Sequence, residues 1–231
     1  MNYVTSDIHN DFEKFDLLLS TINFSKSSDH LYILGDLFDR GFHPQPLEIY
    51  FKILELGESC TVIRGNHDDY LSEYIFEYLS TSERKRKKIR DYEYNTFSLI
   101  KNRLTEVDLS NLADWLKSKP LQIPVTVNGE NFLLAHAQTS SLEKILSDDY
   151  YLMGEVDFSF LKQGIEGYVS ICGHNPTGLI RLWFGDDYRP KQMEIWSNNK
   201  KNVYMIDCGC GLSGDCRLAC LRLEDRREIY V

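Results

Sequence analysis

The spacing of apolar positions changes character along the chain. In the first half, short continuous apolar runs alternate with stretches repeating every three to four residues. Residues 2–6 read as a short strand that delivers Asp7, and Phe12, Phe15, Leu18, Leu19 and Ile22 then fall on one helical face. Residues 31–34 form a buried-strand run stopped by Gly35, Pro44 or Pro46 opens a helix that runs to Gly57, and residues 60–63 form a third strand stopped at Gly65. This β-α-β-α-β order predicts parallel strands with right-handed crossovers. Residues 68–119 contain neither Pro nor Gly and are rich in helix formers and charge, which predicts an inserted helical cap ended by Pro120. Strands then return. Residues 125–127 and 132–134 flank Asn128-Gly129, a hairpin signal, and residues 169–172, 203–206 and 218–223 complete the second half. The expected fold is α/β (α+β): one domain over residues 1–231, with two sheets packed face to face, helices outside, and 68–119 as a helical insertion.

Composition narrows the functional classes. With 231 residues, 42% hydrophobic and 26% charged, the chain is ordinary for a soluble globular protein. No apolar run approaches the roughly 20 residues of a membrane span, and Asp7 follows Met1 too closely for a signal peptide, so the expected location is cytoplasmic. The net charge of −9 argues against a general nucleic-acid binder. The basic run at residues 84–88 is read as a solvated helix face rather than a docking patch. Six cysteines in a reducing compartment are expected as free thiols. Four of them (Cys208, Cys210, Cys216 and Cys220) lack the spacing of a standard zinc pair of pairs.

The chemistry lies at the predicted strand ends. Asp7-Ile8-His9, the segment Gly35-Asp36-Leu37-Phe38-Asp39-Arg40-Gly41 and the segment Arg64-Gly65-Asn66-His67-Asp68 each follow an apolar run, as do His136 and His174. Ligands of open α/β sheets bind outside the carboxyl ends of the strands. Asp7, His9, Asp36, Asn66, His67, His136 and His174 are therefore expected to converge on one rim. Oxygen donors mixed with imidazoles suit manganese, iron or zinc. Asp36 is the best candidate to bridge two ions.

These motifs resemble the calcineurin-like metallophosphoesterase superfamily, in particular the branch of phosphoprotein phosphatases and symmetrical diadenosine tetraphosphate hydrolases. GDLFDRG at 35–41 resembles GDxxDRG, RGNHD at 64–68 resembles RGNHE, CGHNPT at 172–177 resembles the GHTP segment, and residues 204–214 with 218–231 resemble the closing strands of bacterial members. The resemblance implies a two-sheet sandwich flanked by helices. It implies two divalent ions, manganese expected: Asp7, His9 and Asp36 would hold the first, and Asp36, Asn66, His136 and His174 the second. It further implies a hydroxide activated by both ions, Arg40 and Arg64 clamping phosphoryl oxygens, and His67 as general acid oriented by Asp39.

The chain departs from the family pattern in three places. Ser6 and Asn10 replace the glycines that usually flank the first motif, and Gln138 stands where Gly usually follows the fourth-motif histidine. No arginine occurs between Ala137 and Gly173, where the family carries a further phosphate-binding one; Arg181 or Lys162 is the candidate substitute, and residues 153–155 occupy the equivalent stretch. The leading expectation is a phosphomonoesterase of serine/threonine protein phosphatase type, acting on a phosphorylated protein or small phosphate ester. Symmetrical dinucleoside tetraphosphate hydrolysis is the alternative, set back by the lack of an evident adenine-stacking pair. A non-catalytic metal-binding module and a nucleic-acid phosphodiesterase are weaker readings. Neither a nucleic-acid nor a membrane partner is expected, and oligomeric state is not legible.

Overall fold

The computed structural model describes residues 1–144, 146–154, 157–186, 193–213 and 215–231. The first sheet contains β1 (Asn2–Thr5), β2 (His30–Ile33) and β3 (Cys60–Val62), joined through α1 (Phe12–Thr21) and α2 (Pro46–Leu56). The three strands pair in parallel in the order β1-β2-β3, as expected for right-handed crossovers. A helical stretch follows: α3 (Asn66–Ser80), α4 (Glu83–Arg86), α5 (Thr96–Ile100) and α6 (Glu106–Lys117). The second sheet starts with β4 (Gln122–Val127) and β5 (Glu130–Ala135), a hairpin turning on Asn128 and Gly129. Both turn residues have positive φ, 51° and 81°, which is the primed turn whose twist matches that of the strands. Short helices α7 (Asp148–Leu152) and α8 (Phe158–Gln163) precede β6 (Val169–Cys172), and α9 (Thr177–Trp183) precedes β7 (Trp196–Ser197) and β8 (Val203–Met205). The chain then returns to the first sheet with β9 (Ala219–Arg222) and β10 (Glu228–Tyr230). The sheet orders are β10-β9-β1-β2-β3 and β4-β5-β6-β8-β7.

Strand alternation explains the layering. Val4, Leu34 and Ile63 of the first sheet pack with Phe132, Leu134, Ile171 and Ile206 of the second, forming the core between the sheets. The alternate positions Tyr3, Leu31, Ile33 and Val62 pack outward against Phe15, Leu18, Ile49 and Leu71 of the helices. On the other side, Cys172, Val203 and Met205 meet Phe160, Leu161 and Ile180. Both faces of the central strands are buried, which is why they read as continuous apolar runs. The result is four layers, helix-sheet-sheet-helix, as expected from the sequence. Pro124, which cannot donate to a ladder, sits on the edge strand β4.

The structure adds detail at several points. The sequence pattern shows neither β7 nor β10: β7 has only two residues, and β10 is a half-exposed edge strand without a buried apolar run. Cys208, Cys210 and Cys220 are buried in the cores rather than gathered, and among the described residues no cysteine joins a cluster able to hold a metal. The basic run falls on and after α4, which buries none of its residues. Among the described residues no helix is long and apolar enough to cross a membrane.

Candidate metal centre and active site

The ends of β1, β2 and β6 deliver their polar groups through a backbone bend that few residues adopt. Asp7, His9, Asn10, Asp36, Asp39, Arg40 and His174 all have positive φ, between 48° and 66°. Such conformations cost energy for residues with a Cβ and concentrate at functional sites. The surrounding structure holds them in place. Asp7 N–H donates to the Gly35 carbonyl, His9 N–H to the Asp36 carbonyl and Asn10 N–H to the Leu37 carbonyl, so the first two loops are laced together. Asp68 accepts from the backbone N–H groups of Gly65, Asp36 and Leu37, tying the third loop to the second. The sequence alone gives Asp68 no such role, although it closes the RGNHD motif.

The loops approach so closely that side chains are excluded at several glycines, Gly65 and Gly173 among them. A Cβ on Gly65 would lie 2.3 Å from both the backbone nitrogen and Oδ1 of Asp36, and one on Gly173 would lie 2.2 Å from Asp7 Oδ2. Glycine is required there for space.

The candidate donor atoms gather in two groups. Asp7, His9 and Asp36 form one cluster and Asp36, His136 and His174 a second, the candidate ligand atoms in each lying within 4.8 Å of one another. Asp36 belongs to both: Oδ2 is 3.7 Å from His9 Nε2, and Oδ1 is 3.4 Å from His136 Nε2. Asn66 Oδ1 is 2.9 Å from His136 Nε2 and 2.9 Å from His174 Nδ1.

The polarity of these contacts fits cations. His136 Nδ1 faces the Leu34 carbonyl at 2.6 Å and His9 Nδ1 faces the Phe38 carbonyl at 3.0 Å, so each donates its N–H there. In the neutral ring the other nitrogen, Nε2, is then a lone pair. That lone pair points at oxygen acceptors of Asn66 and Asp36, or of Asp7 and Asp36, an arrangement that is favourable only with positive charge between them. Burial, opposed by Asp36, lowers His9 to about 4. Burial and neighbouring His136 lower His174 to about 4, keeping both rings neutral and ready to ligate. Asp7 Oδ1 is buried and has no hydrogen-bond partner, while its Oδ2 accepts from Ser6 Oγ and His174 N–H. Burial and then the Asp207 and Asp36 carboxylates push Asp7 well above the usual carboxylate range. Several buried carboxylates facing neutral imidazoles need compensating charge. The residues present therefore fit two divalent ions sharing Asp36.

Asp207 also lies at this centre, a buried carboxyl that burial raises to about 7. It is absent from the residues expected from the sequence. It falls two residues beyond β8, at a strand end like the others, so the same signal marks it.

The remaining predicted residues are placed as follows. His67 Nδ1 donates to Asp39 Oδ2 at 3.1 Å. Its ring makes edge contacts with His9 and Tyr94, centroids 5.1 and 4.4 Å apart. Arg40 is exposed, with Nη1 3.4 Å from His9 Nε2. Arg64 is buried and engaged: Nη1 pairs with Asp69 at 3.1 Å and Nη2 with Asp148 at 2.9 Å. Gln138 is buried and donates to Tyr150 Oη. Arg181 donates to the Ile195 carbonyl and, with Lys162, lines a cavity on the far side of the second sheet whose walls include none of these residues. Neither one therefore stands in for the missing arginine in this structure. Glu155 lies outside the described residues, as does Gly214 within the closing-strand segment; Met153 Sδ accepts from Tyr70 Oη.

A finding that sequence reasoning did not foresee is the aromatic wall beside His67. Tyr70 and Tyr94 both pack on its ring, and with Tyr74 and Tyr92 they line a cavity of about 410 Å³. Glu73, Glu77, Arg90, Asp91 and Glu93 line the same cavity.

Comparison with known proteins agrees with this architecture. The family model for calcineurin-like phosphoesterases matches residues 3–209. The chain is 38% identical to a symmetrical bis(5'-nucleosyl)-tetraphosphatase of Glaesserella parasuis serovar 5, over 60% of this chain and 44% of that protein. It is 32% identical to the protein of the same name from Hamiltonella defensa, over 52% of this chain and 38% of that one. The match thus spans less than half the length of these relatives. The protein of that name from Klebsiella pneumoniae is 29% identical over 97% of this chain and 92% of its own. Among solved structures, a provisionally assigned diadenosine tetraphosphatase superposes with a TM-score of 0.68 at 17% identity, covering all of this chain and 92% of that one. A Saccharomyces cerevisiae protein serine/threonine phosphatase gives 0.57 at 15% identity, covering all of this chain and 78% of that one. These structures share the fold of two sheets flanked by helices. On the match over residues 3–209, the chain belongs to the calcineurin-like phosphoesterase family.

Proposed function

We propose that this chain is a two-metal phosphohydrolase that cleaves the phosphoanhydride of a dinucleoside tetraphosphate. The observation that carries the hydrolase reading is the sharing of Asp36 between two clusters of neutral imidazoles and carboxylates, with the His67–Asp39 pair alongside. Asp7, His9 and Asp36 would hold one ion, and Asp36, Asn66, His136 and His174 the other. Manganese, iron and zinc all suit this donor set. When bound, such a pair supplies a nucleophilic solvent molecule at neutral pH and positive charge for the phosphoryl oxygens.

This chain's own residues supply the rest. Arg40, exposed on its strained loop, binds phosphoryl oxygens with its planar fork. The positive end of the 15-residue helix α3, whose first turn carries Asn66 and His67, favours the same anion. His67, with Nδ1–H held by Asp39, presents Nε2 as the proton donor to the leaving oxygen. Tyr70 and Tyr94, which pack on the His67 ring, would offer their rings to a base of the leaving group, and a base stacked there is worth about 1–3 kcal/mol.

The nucleotide reading is supported by that wall and by the names of the relatives; the rival reading is the phosphomonoesterase of protein phosphatase type. The test is to load the protein with manganese and compare diadenosine tetraphosphate with a phosphoserine peptide, resolving products by chromatography. The expected result is two molecules of ADP per substrate and a kcat/KM advantage of about tenfold or more, as one stacked base gives. Preference for the peptide, or release of AMP with ATP, overturns the proposed substrate.

A further inference from the structure

His67 is held by a carboxylate that is itself held by one side chain. Asp39 Oδ2 accepts from His67 Nδ1 at 3.1 Å and from Tyr92 Oη at 2.5 Å. The other oxygen, Oδ1, is buried and has no partner. Among the described residues, then, His67 and Tyr92 alone fix the orientation of this carboxylate. Its backbone is pinned separately: Asp39 N–H donates to Thr96 Oγ1 at 2.8 Å, and Asn95 Nδ2 donates to the Arg40 carbonyl. Tyr92 in turn is packed, its ring 5.0 Å from Tyr74 and 5.7 Å from Tyr94. Burial, and then the Asp39 charge, push its phenol far up, so it stays a donor.

The geometry points to Tyr92 as a positioning residue for proton donation by His67, acting through Asp39. The inference rests on the reading of His67 as general acid. Tyr92 does not reach the reacting atoms. It stops the Asp39 carboxylate from turning about its last torsion, and so fixes the plane of the imidazole. As a solvent oxygen bonds to phosphorus and the P–O bond to the leaving group breaks, the bonding electrons stay on the leaving oxygen and the proton on His67 Nε2 moves to it. His67 is left neutral with Nδ1–H still on Asp39, and solvent restores the Nε2 proton. Segment 92–96, from the helical stretch between the strands, thus completes a site that the strand ends begin.

The test uses the manganese-loaded full chain and its Y92F and H67N variants on aryl phosphates ranging from 2,4-dinitrophenyl to phenyl. A dinitrophenolate leaves without a proton, whereas phenolate needs one far more. Y92F removes one hydroxyl and keeps the ring that packs on Tyr74 and Tyr94. Expected for Y92F is a kcat on phenyl phosphate lowered about tenfold, a loss on dinitrophenyl phosphate at least about threefold smaller, and KM within about twofold. H67N is expected to show the same tilt more strongly. An equal loss across the series for Y92F, or a change in KM alone, overturns the inference. If H67N steepens the series while Y92F leaves its slope as it was, only the role of Tyr92 fails. If H67N itself gives a flat response, the acid assignment of His67 fails and the inference with it. A Y92F crystal structure with the His67–Asp39 pair broken or rotated is the matching structural outcome.

Discussion

Arg64 shows how a motif residue can be present and yet be spoken for. Sequence alone suggests a phosphate clamp. In the structure its guanidinium is shared between buried Asp69 and Asp148, whose side chain is 61% exposed. An exposed partner of this kind contributes about 0.2–1 kcal/mol and yields to a competing anion. If Arg64 binds phosphate by releasing Asp148, then D148N should tighten inhibition by inorganic phosphate about 1.5- to 5-fold, the same energy expressed as affinity. The measurement is the inhibition constant of phosphate in D148N against the parent, at fixed manganese. An unchanged constant means that Arg64 is a strut for α7 and α3, leaving Arg40 as the phosphate arginine of the site.

At the scale of elements, the site is a set of loops that must approach one another to within backbone contact. Gly65 is a point where backbone itself blocks any side chain, since an added methyl would meet the backbone and Oδ1 of Asp36 at 2.3 Å. G65A should therefore displace the shared carboxylate, and a misplacement of about 1 Å costs about 100-fold in rate. Gly129 is the contrast: it has φ +81°, and an added Cβ would meet nothing within 4 Å. G129A should cost about 1 kcal/mol of stability through backbone strain and leave kcat as it is. Melting curves and steady-state rates on the two variants separate the effects; an active G65A would show that Asp36 tolerates movement. The same contrast explains what the sequence makes legible. Long apolar runs and their polar ends are local signals, and they locate Asp7, His9, Asp36, Asn66, His136 and His174. Asp207 gives the same signal more weakly. Tyr92, Tyr94, Asn95 and Thr96 give none. Their partners, Asp39, Arg40 and His67, lie 27 to 57 residues away, by subtraction of residue numbers, and only the folded helical stretch brings them together.

At the scale of the molecule, both sheets meet at one electrostatic liability. Asp7, Asp36 and Asp207 are all buried, Asp7 Oδ1 has no hydrogen-bond partner, and the imidazoles around them are held neutral by burial. Their strands belong to different sheets, Asp7 and Asp36 following strands of the first and Asp207 a strand of the second. Repulsion among these carboxylates therefore pushes the two halves of the sandwich apart, and cations between them draw the halves together. Ion binding is accordingly expected to stabilise the whole fold as well as to enable chemistry. Each site filled at 100 times its dissociation constant adds about 2.7 kcal/mol, which corresponds to about 5–11 °C in Tm for a chain of this size. Adding manganese to chelator-treated protein should raise Tm by at least that amount, and D36N, which removes the shared ligand, should abolish most of the rise. Calorimetry reads this without reference to any substrate. A melting temperature indifferent to manganese would mean that the buried carboxylates are neutralised by protons alone, and the two-ion reading of the centre would not stand.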